Sequence, residues 1–188
     1  IVLSNLGIPS RAFGFLGGFT KDFYINLLAK YEDIRPNFTY IDGSTRINVK
    51  LKLDSVTMRD VHASGPMITH DAMENLMNKV SSLYEGDTFV LAGNVAEYLV
   101  DDTENMLKKA IGNDIKVVLD TVPKIMKDMV SFNPFLYKTT PSELHDITGD
   151  DCSNKEAVIE SAKKLHEQGV RHVIVLLEDG TAVLVSDE

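Results

Sequence analysis

Arg46, Asn48, Lys50 and Lys52 alternate with the apolar residues Ile47, Val49, Leu51 and Leu53. Residues two apart in an extended strand share a face, so this run sets an arginine, an amide and two lysines on one side. An arginine fork matches phosphate oxygens in pairs and a lysine adds a point charge, which suits a phosphorylated small molecule. A solvated sheet edge whose lysines discourage aggregation is the alternative reading. Ala92-Gly93-Asn94 follows an apolar strand directly, and a glycine there either admits a ligand to the backbone N–H groups or simply ends the strand. Asp120 closes the run Val117-Val118-Leu119. An acid at such a strand end can hold a magnesium ion through water, or cap the helix that follows. In Lys138-Thr139-Thr140-Pro141-Ser142-Glu143, Thr140 and Glu143 have capping-box spacing with Pro141 at the first helical position.

The rest of the chain offers less chemistry. None of the five histidines, His62, His70, His145, His166 and His172, shares a metal-ligand spacing with a carboxylate. There is no P-loop sequence and no nucleophile elbow.

The elements that must position these groups follow a βαβ pattern, short apolar runs alternating with helical periods. Ala12–Leu16 reads as a buried strand, Gly17-Gly18 as a turn and Lys21–Lys30 as a helix. Phe38–Asp42, Thr45–Leu53 and Val56–Ala63 are strand-like segments with no helix between them. Thr69–Leu83 carries Met73, Leu76, Met77, Val80 and Leu83 on one helical face, as core filling. Asn154–Gln168 reads as a helix with a Ser153/Glu156 capping box and Gly169 as its stop. The strands Phe89–Ala92, Val117–Leu119 and Val173–Leu177 are apolar on both faces and belong in a covered parallel sheet. The alternating run at Arg46–Leu53 implies a second kind of sheet with one wet face. Residues 1–36 and 66–188 are therefore expected to form an α/β body, with 37–65 a small antiparallel β lid.

A chain of 188 residues with 44% hydrophobic content is long enough to bury a core of its own. Its 19 basic and 28 acidic residues leave a net charge of −9, which disfavours nucleic acid and anionic membrane surfaces as partners. A local basic cluster still admits a sugar phosphate. The single Cys152, in a polar run, forms no intrachain disulfide and fits a reducing, cytoplasmic setting. No apolar run reaches the roughly 20 residues of a membrane helix. Ile1–Gly7 reads as the last turns of an amphipathic helix, and the chain stops just after an apolar strand, so both ends are expected to continue into something longer.

In order along the chain stand Gly14-Phe15-Leu16-Gly17-Gly18-Phe19-Thr20, Thr45-Arg46-Ile47-Asn48-Val49-Lys50-Leu51-Lys52, Gly65-Pro66, Leu91-Ala92-Gly93 and Val117-Val118-Leu119-Asp120. Phe135-Leu136-Tyr137-Lys138 with Glu143-Leu144, and His172-Val173-Ile174-Val175 with Asp179-Gly180, complete the series. This series resembles the ribokinase-like (PfkB-type) carbohydrate kinases, in particular the bacterial 1-phosphofructokinase and tagatose-6-phosphate kinase groups. The resemblance implies a three-layer α/β/α fold with a mostly parallel sheet and a β lid that often makes a homodimer contact.

It further implies transfer of the γ-phosphoryl group of ATP, with Mg2+, to a ketohexose phosphate: fructose 1-phosphate to fructose 1,6-bisphosphate, with tagatose-6-phosphate kinase activity as the alternative. By resemblance Arg46 holds the substrate phosphate, with Asn48, Lys50, Gly93 and Asn94 nearby. Lys138, Thr140 and Gly180 lie at the nucleotide, and Asp120 and Glu143 are water-mediated magnesium ligands. The family's sugar-binding glycine motif is expected before Ile1 and its catalytic base beyond Glu188, so this stretch alone is expected to be inactive. Thr139-Thr140 stands where the family carries Pro-Asn, Asn94 where it carries Ser, and Glu178 where nucleotide contacts fall. Those positions motivate a rival expectation, a non-catalytic sensor of sugar phosphate or nucleotide. A structural interaction module built on the lid is a third.

Overall fold

The computed structural model describes residues 1–52 and 58–187; Leu53, Val56 and Glu188, placed in strands or at the chain end above, lie outside the described residues. The chain divides into two compact units, Ile1–Lys79 and Val80–Glu188.

The first unit opens with α1 (Val2–Asn5), then β1 (Ser10–Ala12) and β2 (Phe15–Leu16). The single strand expected over Ala12–Leu16 is thus two pieces, interrupted near Gly14, whose φ of +143° is glycine territory. After α2 (Gly18–Leu28) come β3 (Ile34–Pro36), parallel to β1, and β4 (Thr39–Tyr40), parallel to β2. β5 (Asn48–Lys52) and β6 (Met58–His62) form an antiparallel pair in which Val49 faces Val61 and Lys50 faces Asp60. The pairing begins at Asn48, so Arg46 lies in the irregular approach to the strand rather than within it as expected. The ladder stops there because β6 ends at His62, opposite Asn48.

α3 (His70–Val80) buries Met73, Leu76 and Val80, the helical stripe read from the sequence. Near its end Lys79 donates to the carbonyls of Asn37 and Phe38 and to Thr39 Oγ1 (2.9 Å to Phe38 O). Partial burial draws its pKa below the usual lysine value.

The second unit contains one five-stranded sheet, ordered β11-β10-β9-β8-β7. β7 (Thr88–Gly93), β8 (Lys116–Thr121), β9 (Leu136–Thr139) and β10 (His172–Leu176) run parallel, and β11 (Ala182–Ser186) returns antiparallel. The connections are α4 (Val100–Gly112), α5 (Pro123–Met129), α6 (Pro141–Thr148) and α7 (Lys155–Glu167). Each helix packs on the next, over β8, β10 and β11. Leu119, Tyr137 and Val173 are in register across the sheet and fully buried, with Val117, Thr139 and Val175 on the same face. Tyr137, deep in this layer, donates its hydroxyl to the Met126 carbonyl of α5, and burial raises its pKa far above the usual phenol.

Within this unit the two faces of the sheet are covered unequally. The helices line one face, while Val90 (52%), Leu176 (42%) and Leu184 (64%) on the sheet strands remain exposed. An apolar run in a strand records low polarity on both sides but not what packs there. The capping box expected at Ser153 is also displaced. Asn154 is the N-cap of α7 and accepts from Ala157 N at 2.9 Å, while Ser153 Oγ turns back to Asp151. Asparagine caps as well as serine, and the Asp151 turn has already taken the Ser153 hydroxyl. Among the described residues no helix is long and apolar enough to cross a membrane.

Candidate functional site at the carboxyl ends of the parallel strands

Parallel strands in one sheet release their chains at a common end, and in open α/β sheets ligands bind there. β7 ends in Gly93, β8 in Asp120-Thr121, β9 in Lys138-Thr139, and β10 runs into the turn containing Gly180. Gly93 (φ +92°) is exposed with open space where a Cβ would stand, and Asn94 beside it is exposed too. Thr121 is buried and donates to the Gly93 carbonyl at 2.7 Å, tying the ends of β7 and β8 together. Sequence reading missed Thr121; the available signal was a polar residue in phase with the buried Val117 and Leu119.

Asp120 and Lys138 point to the face opposite the helices, by the two-residue period of their strands. There Lys138 Nζ stands 2.9 Å from both Oδ1 and Oδ2 of Asp120, with each side chain about one-third exposed (35% and 37%). The sequence named both residues but not their contact, because 18 residues separate them. Parallel pairing of β8 with β9 removes that separation.

Thr140 and Glu143 form the expected capping box at the start of α6. Glu143 Oε2 accepts from Thr140 N and Thr140 Oγ1 at 2.9 Å each, and Thr140 Oγ1 accepts from Glu143 N at 3.4 Å. The fully buried Thr139 hydroxyl lies 3.4 Å from the same Oε2. One carboxylate oxygen is therefore committed to the helix end. Gly180 (φ +82°) shapes the turn from β10 to β11, its N–H donating to Leu177 O at 3.1 Å. Asp179 accepts from Thr181 N and Oγ1 there, and those bonds hold its carboxyl below the usual range.

The second-unit candidates thus collect at one sheet end. Arg46, Asn48 and Lys50 belong to the first unit, where all three are exposed. Lys50 Nζ lies 3.9 Å from Asp60 across the hairpin, so its charge is partly balanced. Arg46 makes no ion pair among the described residues, and its stem runs beside Gly65.

A family model described as "pfkB family carbohydrate kinase" matches residues 1–188. The chain belongs to that family. This pfkB chain is 35% identical to the 1-phosphofructokinase of Bacillus subtilis over 188 residues, covering 100% of the chain and 61% of that protein. It is 34% identical to the 1-phosphofructokinase of Borreliella burgdorferi over 184 residues, covering 98% of the chain and 59% of that protein. The pfkB chain therefore spans about three fifths of the length of these relatives. Phosphofructokinase-2 of Escherichia coli, solved with substrates and products, superposes with a TM-score of 0.91 at 19% identity, over 99% of this chain and 62% of that one. At that identity the likeness establishes the fold, which is the ribokinase-like α/β class.

Among the described residues no three acidic, histidine or cysteine side chains gather in one place. A dehydrated ion needs several direct oxygen ligands, whereas a hydrated magnesium ion needs only an accessible carboxylate or two at the distance of its water shell. Asp120, about one-third exposed at a strand end, fits the second case; Glu143 offers one oxygen outside the cap.

Proposed function

We propose that the protein is an ATP-dependent kinase of a ketohexose phosphate, converting fructose 1-phosphate to fructose 1,6-bisphosphate. The observation that carries this reading is the convergence of Gly93, Asp120, Lys138, Thr140 and the Gly180 turn at one end of a parallel sheet in a pfkB-family chain. The name 1-phosphofructokinase, carried by relatives at 34% and 35% identity, supports fructose 1-phosphate as the acceptor.

Phosphoryl transfer asks the protein chiefly for positioning and for neutralisation of spreading negative charge. In this reading the exposed guanidinium of Arg46, with Asn48 and Lys50, grips the phosphate already on the sugar. Gly93 and Asn94 let the acceptor approach the backbone at the end of β7. Lys138 exchanges its Asp120 partner for nucleotide phosphate oxygens, with Thr140 and Gly180 bordering the nucleotide. Asp120 and Glu143 are the residues that would hold a hydrated magnesium ion. When bound, that ion neutralises charge on the phosphates. A cytoplasmic setting accords with the lone Cys152.

The proposed lid is the segment 37–65, and its hairpin is the proposed homodimer contact. Ile47 (52%), Val49 (44%), Leu51 (41%) and Val61 (52%) are all exposed, with Val49 and Val61 opposite each other. A lone two-stranded ribbon with bare apolar side chains gains stability by pairing that face with another copy.

The test is an assay of the full-length protein with ATP, offering fructose 1-phosphate, tagatose 6-phosphate and fructose 6-phosphate in parallel. A higher kcat/KM for fructose 1-phosphate supports the proposal; preference for tagatose 6-phosphate replaces the acceptor but not the reaction. A second reading, a sensor that binds without transfer, draws on the commitment of Glu143 to its helix cap. Calorimetric binding of both ligands with no product formed would select it.

A further inference from the structure

The first unit contains a hydrogen-bonded junction that the site described above does not use. Gly17 N donates to Thr45 Oγ1 at 2.9 Å, and Thr45 N donates back to Gly17 O at 3.1 Å. The Thr20 hydroxyl, one turn into α2, lies 3.0 Å from Gly17 O and 3.2 Å from Thr45 O, so it bridges the two strands of chain. The approach is close enough to demand glycine. A Cβ on Gly17 would stand 2.3 Å from the Gly43 carbonyl oxygen, and one on Gly18 2.2 Å from Ser44 Oγ. The segment from Ile41 to Thr45 is therefore pressed onto the start of α2, and the next residue is Arg46.

We propose that Thr20 is a positioning residue for the sugar-phosphate grip, acting through Thr45 to set where the Arg46 backbone leaves the junction. The proposal rests on the reading that Arg46 binds the acceptor's phosphate. A long, exposed arginine with no ion pair among the described residues samples many directions, and each must be given up on binding. Fixing its main chain removes part of that cost. Thr20 is not among the residues proposed to bind a ligand; its hydroxyl bonds are to Gly17 O and Thr45 O.

The experiment is calorimetric titration of the full-length protein with fructose 1-phosphate, and separately with ATP. Thr20→Val keeps the shape and removes the bridging proton; it is expected to weaken fructose 1-phosphate binding by about tenfold and leave ATP binding unchanged. Thr20→Ser, which keeps the hydroxyl, is expected to restore wild-type affinity, a result that mere loss of packing would not produce. Added to Arg46→Ala, Thr20→Val is expected to cost nothing further, because the residue it positions is gone. The proposal is overturned if Thr20→Val binds like wild type, or if it costs the same factor with and without Arg46. If Arg46→Ala itself binds like wild type, the phosphate reading of Arg46 falls, and that single variant shows it independently of Thr20.

Discussion

Lys138 and Asp120 face each other across two adjacent parallel strands, the ammonium equidistant at 2.9 Å from both carboxylate oxygens. Both side chains are about one-third exposed, so the pair contributes little to stability, on the order of 0–1 kcal/mol. Its place at the strand ends suits a function better than a structural role. Lys138→Met is therefore expected to lower the melting temperature only slightly while reducing turnover by about a hundredfold. Thermal unfolding and a kinase assay on the same preparation check both halves; a large loss of stability with ordinary turnover would reverse the assignment.

Glu143 serves the cap of α6 and is proposed to serve a magnesium ion, and two substitutions separate the roles. Glu143→Gln retains the capping bond, since glutamine fills that position of a capping box. It should leave stability nearly unchanged but reduce turnover. Thr140→Ala removes the cap and should cost about 1 kcal/mol. Chemical denaturation measures the two costs, and wild-type turnover in Glu143→Gln would confine Glu143 to the helix end.

His166 supplies a pH dependence. Its Nδ1 stands 2.9 Å from Val170 O and its Nε2 2.9 Å from Asp187 Oδ1. The Val170 carbonyl first, and the Asp187 carboxylate with it, raise its pKa above the usual imidazole value. The folded state thus binds this proton more tightly than the unfolded one. The resulting stabilisation is fully present below the unfolded pKa of about 6.5 and fades as pH rises through the folded value. The stability difference between the parent and His166→Gln should shrink from about pH 5.5 to about pH 8.5; a difference that grows with pH would contradict the pairing.

Gly169 adopts φ +124° after α7, and a Cβ there would stand 2.2 Å from Asn133 Oδ1 and 3.3 Å from Val130 O. Both backbone strain and collision act against alanine. Gly169→Ala should lose about 1–3 kcal/mol by urea denaturation, with the flexible Asn133 side chain absorbing some of the clash.

The exposed hairpin face makes the dimer proposal measurable. Val49→Glu places a charge opposite Val61 and should shift the sedimentation mass from two copies to one. An unchanged mass would put any association elsewhere.

Periodicity and turn chemistry were enough to establish, from the sequence by itself, the alternation of strands and helices, the buried stripe of α3 and the Thr140–Glu143 cap. Each depends on residues only a few positions apart, so local geometry determines it. The ordered short motifs carried the family. Tertiary structure alone decided that Lys138 meets Asp120, that Thr121 ties Gly93, that Thr20 bridges Gly17 and Thr45, and that helices line one face of the second unit's sheet. The Lys138–Asp120, Thr121–Gly93 and Thr20–Thr45 contacts span 18 to 28 residues, and which ones form depends on how the chain folds back on itself. A one-residue slip would turn Asp120 and Lys138 into the helix layer, and nothing in their own neighbourhoods forbids it. The packing of Leu119, Tyr137 and Val173 beneath the helices is what does.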